Sequence, residues 1–200
     1  MLDGAARRLL DPGLEAAGRR LAAAGIGANA VTWTGFVIGV AAAGAIALEA
    51  YAAGLVLILA SRLCDGLDGA VARQTAKTDL GGYLDIVLDF AFYGLVPLAF
   101  VIARPENGLA GAVLIFSFYA NGASFLAFAI MAEKRGIEGE ARGPKSLHFT
   151  TGLAEASETI LVFCLFCLWP SAFAPIAFVF AAICLLTAFS RIALAIRTFR

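Results

Sequence analysis

Six apolar stretches, each close to the roughly 20 residues that a bilayer demands of a helix, follow one another along this chain. They fall at residues 30–50, 52–73, 80–103, 109–132, 153–170 and 173–194. A water-soluble globule is excluded, because polar side chains would have to cover most of its outside. Only 15% of the 200 residues are charged and 61% are hydrophobic, where a soluble domain carries roughly 25% charged residues. Disorder is excluded too, since disordered chains are apolar-poor and charge-rich. The expected fold is all-α and integral to the membrane, a single domain over 1–200. It comprises an amphipathic surface helix within 1–28 and a six-helix bundle over 30–194.

Asp11-Pro12 offers an N-cap followed by proline at a first helical position. Leu14, Ala17 and Leu21 then share one face, with Glu15, Arg19 and Arg20 on others, which suits a helix lying on the membrane surface. Gly25 and Gly27 are expected to end it. The first 24 residues alternate arginine pairs with Leu and Ala, so no secretory signal is expected there. Basic residues set the orientation. Arg7, Arg8, Arg19, Arg20, Arg73, Lys77, Lys134, Arg135, Arg142, Lys145, Arg197 and Arg200 all fall on one side of a six-helix weave, with Arg104 on the other. Both termini are therefore expected in the cytoplasm.

The 15 basic and 15 acidic residues cancel, so no overall charge steers the chain to nucleic acid. Cys64, Cys164, Cys167 and Cys184 lie in apolar stretches and read as buried small hydrophobes; Cys164-x-x-Cys167 alone is a weak metal signal. Gly35-x-x-x-Gly39 reads as close helix packing, with a dimer face as the lesser alternative. Trp33 and Trp169 read as interfacial anchors. Neither a repeat nor inverted halves is visible.

Against this apolar background, the stretch from Arg62 to Phe90 is anomalous: RLCDGLDGAVARQTAKTDLGGYLDIVLDF. Asp65 and Asp68 are three apart and Asp85 and Asp89 four apart, so each pair shares a helical face. A short turn at residues 74–79 makes the two helices antiparallel neighbours, and both pairs can meet near the cytoplasmic surface. Four carboxylates in a poorly hydrated site repel strongly and require a cation. An all-oxygen set without paired Cys or His selects Mg²⁺, Mn²⁺ or Ca²⁺. Four carboxylates suffice for two such ions, an arrangement that clamps attacking and leaving oxygens in phosphoryl transfer. The stretch lacks the alternating ligands and distal Glu of a calcium-binding EF-hand loop. A structural reading of the four acids is weak, because intramembrane carboxylates are costly.

The spacing is more specific than the chemistry. Asp65-x2-Asp68-Gly69-x2-Ala72-Arg73-x7-Gly81-x3-Asp85-x3-Asp89 resembles the signature of the CDP-alcohol phosphotransferase (CDP-alcohol phosphatidyltransferase) family. Eight fixed positions would recur in a shuffled chain of this composition about once in 10⁷. Asn29-x2-Thr32 at the entry to the first span also looks like the family's usual start. The gap between Arg73 and Gly81 is at the short end for the family.

The resemblance implies an enzyme that transfers a phosphoalcohol from a CDP-linked donor to a second alcohol and releases CMP. It implies Asp65, Asp68 and Asp85 as ligands of two divalent ions, Mg²⁺ or Mn²⁺, and Asp89 as both ligand and base. Asn29, Thr32, Gly69, Ala72, Arg73 and Gly81 are implied around the nucleotide donor. Arg73 would pair with a phosphate oxygen or hold an Asp in place. Gly69, Ala72, Gly81 and Arg73 also have plain readings as packing residues and a positive-inside charge. The donor is expected to be CDP-diacylglycerol and the partner arrangement a homodimer.

Arg135, Arg142, Lys145 and Arg191 are candidates to bind a phosphorylated acceptor, with glycerol 3-phosphate favoured over inositol phosphate, serine or another phospholipid. Arg62 is expected to be a counter-ion for nearby acids rather than a substrate contact. Glu155 and Glu158 share a helical face, and His148 reads as a loop residue. Two alternatives stand beside this reading. One is a CDP-choline or CDP-ethanolamine enzyme acting on diacylglycerol. The other is a cation- or proton-coupled transporter using the same acids, which predicts repeats and broken helices.

Overall fold

A computed structural model describes residues 3–137, 154 and 156–200, with the backbone alone over 3–10. Within the described residues the chain is all-helical, with seven α-helices. These are α1 (Asp3–Ala23), α2 (Ala28–Ala47), α3 (Tyr51–Gln74), α4 (Asp79–Ala103), α5 (Gly108–Lys134), α6 (Ala156–Leu168) and α7 (Phe173–Phe199). Short 3₁₀ turns, Pro105–Asn107 and Pro170–Ala172, lead into α5 and α7. The apolar windows thus coincide with α2 to α7 to within a few residues.

Among the described residues, four segments are long and apolar enough to cross a membrane: Ala28–Ala47, Asp79–Ala103, Pro105–Lys134 and Pro170–Phe199. With 24 residues α3 matches them in length but carries Arg62, Asp65 and Asp68 inside its apolar run. Helix α6 is shorter, at 13 described residues. Val56, Ile102, Phe116, Val179, Leu186 and Phe189 are each about three-fifths exposed. Such an apolar exterior fits lipid and not water.

The start of α1 corrects one expectation. The helix begins at Asp3, so Asp11-Pro12 lies inside it and does not cap it. Proline removes only one intrahelical hydrogen bond, and the helix continues through it. The other end agrees. Gly25 takes a left-handed conformation (φ 77°), with Gly25 N–H bonding Ala22 O and Ile26 N–H bonding Leu21 O. This is the Schellman arrangement that satisfies the last carbonyls of a helix. Gly136 ends α5 in the same way.

Helix α1 lies against the second half of α3. A Cβ on Gly18 would stand 2.8 Å from Ala70 Cβ, and one on Gly66 would stand 3.0 Å from the Leu14 side chain. Helix α2 approaches α3 as closely, through Gly35 against Cys64 and Ser61. The Gly35-x-x-x-Gly39 pair is thus buried within the chain as a helix-packing face. Fully buried phenylalanines knit α4, α6 and α7, with Phe100 stacked on Phe173 at 5.0 Å and Phe166 at 4.6 Å from Phe173. All four cysteines are free thiols, and Cys167 and Cys184 are buried.

Candidate active site

Helix α2 packs against both α3 and α4, and the turn after Gln74 lets the side chains of the second half of α3 meet those of the first half of α4. Thr78 caps α4 by accepting a hydrogen bond from Gly81 N–H at 3.0 Å, so α4 starts at Asp79 and not earlier. From there Asp85 and Asp89 face α3. One carboxylate oxygen from each of Asp65, Asp68 and Asp85 lies within 4.8 Å of the others. Asp68 is buried (7% exposed), and Thr32 of α2 donates a 2.6 Å hydrogen bond to its Oδ2. Three helices therefore build one acidic centre.

Asp89 is not one of that triplet but meets it at Asp65, within hydrogen-bond reach. Its Oδ1 accepts a 2.6 Å bond from Arg62 Nη1, and the same nitrogen lies 3.4 Å from Asp65 Oδ1. A narrow cleft lined by Thr32, Gly35, Ser61, Arg62, Asp65, Asp85 and Asp89 joins the fourth acid to Asp65 and Asp85. One guanidinium thus pairs with two of the four carboxylates, Asp89 and Asp65. Oxygen donors in this number, with charge left uncompensated, fit a hard divalent cation.

Beside the acids opens a cavity of about 600 Å³ between α2, α3 and α4. Its lining includes Asn29, Thr32, Gly69, Ala72, Arg73 and Gly81, with Asp68 and Asp85 on its inner wall. All six positions expected around a nucleotide donor are therefore brought to one hollow. Gly81 has a physical reason to be small, since a Cβ there would stand 3.1 Å from both Asn29 Oδ1 and Thr78 Oγ1.

Two side chains at this cavity escape the reading of the sequence. Lys77, counted there only as a topology charge, lines the hollow from the α3–α4 turn. Glu15 of α1 holds Arg73: its Oε1 accepts from Arg73 Nε at 2.6 Å and its Oε2 from Gln74 Nε2 at 3.1 Å. Arg73 is therefore paired with a glutamate of α1, not with an Asp of the cluster. A run of nearby basic residues near the turn was the available signal for Lys77; nothing local could have paired residues 15 and 73.

The acceptor candidates are placed elsewhere. Arg191 is buried in the seam between α5 and α7, donating to Asn121 O at 3.0 Å, Asn121 Oδ1 at 2.9 Å and Ser124 Oγ at 2.8 Å. It lines a second, largely apolar cavity of about 650 Å³ between α4, α5 and α7. Arg135 donates to Phe199 O at 2.7 Å and lies over the Phe199 ring, tying the ends of α5 and α7. Arg142, Lys145, His148 and Glu155 fall outside the described residues. Glu158 stands in the first turn of α6.

A model of the CDP-alcohol phosphatidyltransferase family matches residues 26–190, which take in the whole lining of the donor cavity and all four acids. The chain belongs to this family. Its relatives include inner membrane protein YnjF of Escherichia coli (strain K12), 48% identical over 193 residues, covering 96% of this chain and 94% of the relative. Archaetidylinositol phosphate synthase of Methanothermobacter thermautotrophicus is 31% identical over 157 residues, covering 78% of this chain and 70% of the relative. A crystal structure of phosphatidylinositol phosphate synthase from Mycobacterium tuberculosis with CDP-DAG bound superposes with a TM-score of 0.70. That likeness spans 90% of this chain and 92% of the other at 21% identity, and it establishes a common fold.

Proposed function

We propose that this protein moves the phosphatidyl group of CDP-diacylglycerol onto a polar alcohol and releases CMP, at the cytoplasmic face of an inner membrane. One observation carries the reading: the hollow lined by the six expected donor residues shares Thr32 and Asp85 with the cleft holding Arg62, Asp65 and Asp89. A volume of about 600 Å³ lies in the range of small-molecule sites. Arg73 and Lys77 at its mouth offer positive charge to a pyrophosphate. Acyl chains of the donor would remain in lipid while the nucleotide enters between α2, α3 and α4.

Asp65, Asp68, Asp85 and Asp89 would hold two divalent cations, Mg²⁺ or Mn²⁺; when bound, these would neutralise the pyrophosphate and favour departure of CMP. The acceptor oxygen forms a bond to the phosphorus bearing diacylglycerol. The bond from that phosphorus to the bridging oxygen breaks, and CMP leaves with the electron pair. Asp89 takes the hydroxyl proton. Positioning by Thr32, Gly69, Ala72, Arg73 and Gly81 supplies much of the remaining rate enhancement.

Glycerol 3-phosphate is the acceptor favoured by the basic cluster before α6, with Lys145, Arg142, Arg135 and Arg191 as its phosphate contacts. The names of one relative, an archaetidylinositol phosphate synthase, and of the structural neighbour, a phosphatidylinositol phosphate synthase, support inositol phosphate as the second reading. Family membership and the unbroken course of α3 through Arg62, Asp65 and Asp68 favour a transferase over a transporter. Six spans (α2 to α7), a surface-lying α1, cytoplasmic termini and a homodimer complete the proposal.

Purified protein with labelled CDP-diacylglycerol and Mg²⁺ is expected to release CMP when offered one of these alcohols, and chelation of the metal is expected to stop it. No CMP release with any acceptor across a panel would reject the activity. Light scattering in detergent tests the dimer.

A further inference from the structure

The seat of Arg62 is more elaborate than a counter-ion needs. Its side chain is 9% exposed and its guanidinium carbon lies 4.0 Å from the centroid of the Phe92 ring. Nη1 reaches Asp89 at 2.6 Å and Asp65 at 3.4 Å, while Nη2 donates to Ser61 Oγ at 3.2 Å. Ser61 in turn donates to Gly35 O of α2 at 2.8 Å. Gly39 leaves the space for this seat, since a Cβ there would stand 2.7 Å from the Phe92 ring and 3.1 Å from Ser61 Oγ. Three helices hold one guanidinium in place.

The charges then divide unevenly. Asp65, Asp68 and Asp85 converge on one another, whereas Asp89 is outside that triplet and is the acid that Arg62 holds most closely, with Asp65 its longer second contact. A cation fixed this close to the cluster lowers the charge available to any mobile cation, because charge–charge energies scale inversely with distance and local dielectric. A planar fork that grips two partners also fixes the carboxylate it holds, which a single ammonium cannot do as well.

We infer that Arg62 is a built-in cation of the acid cluster and the positioning residue for Asp89: it orients that carboxylate and restrains the affinity of the other three for divalent ions. This rests on the transferase reading above. The two roles have opposite signatures. Removing the charge tightens cation binding while it loosens Asp89 and slows turnover, whereas a residue needed only for folding would weaken both.

The test uses the full chain in detergent, with Mn²⁺ binding followed by electron paramagnetic resonance in the presence of CDP, alongside CMP release at saturating donor and Mg²⁺. Arg62→Gln is expected to bind Mn²⁺ about tenfold more tightly and to release CMP at least about tenfold more slowly. Arg62→Lys is expected to bind Mn²⁺ within about twofold of the natural protein, yet still to turn over more slowly. Unchanged or weaker Mn²⁺ binding in Arg62→Gln overturns the charge role, and full turnover in Arg62→Lys overturns the positioning role. Should Arg62→Gln not fold, the lysine variant decides. A natural protein that binds no Mn²⁺ and releases no CMP fails the transferase reading itself. One that does both, while Arg62→Gln binds Mn²⁺ as before, fails the inference alone.

Discussion

Asp89 concentrates the chemistry proposed for this protein in one carboxylate. Asparagine has the same shape and can still accept a hydrogen bond from Arg62, but it cannot take a proton. Asp89→Asn is therefore expected to lower kcat by about 10²- to 10⁴-fold while binding of labelled CDP-diacylglycerol is largely kept; full turnover would remove Asp89 as the base. Glu15 acts at the other end of the donor cavity. The hydrogen bond from Arg73 holds its carboxyl below the usual 4.5; desolvation opposes this, and the charge of Arg73 and the bond from Gln74 add to the lowering. A depressed carboxyl contributes its stability above its unfolded value and loses it as the pH falls through the folded one. The clasp between α1 and α3 is thus expected to persist from about pH 8 down to about pH 5 and to open in stronger acid. A spin label on a cysteine at Ala24 would become mobile only below that range, and Glu15→Gln would make it mobile throughout. No pH step in the natural protein would show that α1 is held by packing alone.

At the scale of elements, α2 matters because it is thin where α3 and α4 must come close. Gly35 lets the helices approach at Cys64, and Gly39 admits Phe92, on which Arg62 rests. Gly39→Ala forces Phe92 or α2 to shift, at a cost of about 1–3 kcal/mol for overpacking. The expected result is a lower thermal midpoint in detergent and a lower kcat with donor KM nearly unchanged, since Gly39 lies outside the donor cavity. The turn after α2 shows a different compromise. Glu49 occupies the left-handed position (φ 59°) that Gly25 and Gly136 fill after α1 and α5. It accepts from Arg104 Nη2 at 3.1 Å, joining the ends of α2 and α4.

Across the molecule, these end-to-end ties give an alternating pattern. Arg104 of the α4 end meets Glu49 of the α2 end, Arg73 of the α3 end meets Glu15 of α1, and Arg135 of the α5 end meets Phe199 of the α7 end. The donor cavity opens beside the α3–α4 turn. A cysteine placed at Ala76 is expected to label from the cytoplasmic side of sealed vesicles, and one at Glu106 from the opposite side. Labelling of both from one side would break the proposed topology. Hydropathy was enough to place α2 to α7, because a bilayer sets helix length and rejects polar side chains wherever function does not require them. The spacing of Asp65, Asp68, Asp85 and Asp89 was enough to name the family, because helical periodicity puts residues three and four apart on one face. Only the packed structure could set Arg62 on Phe92 against Asp89, hand Arg73 to Glu15, bring Lys77 to the donor cavity and send Arg191 to Asn121. The paired residues among these lie 27 to 70 positions apart in the chain, and such contacts depend on how helices cross, which no local pattern of side chains encodes.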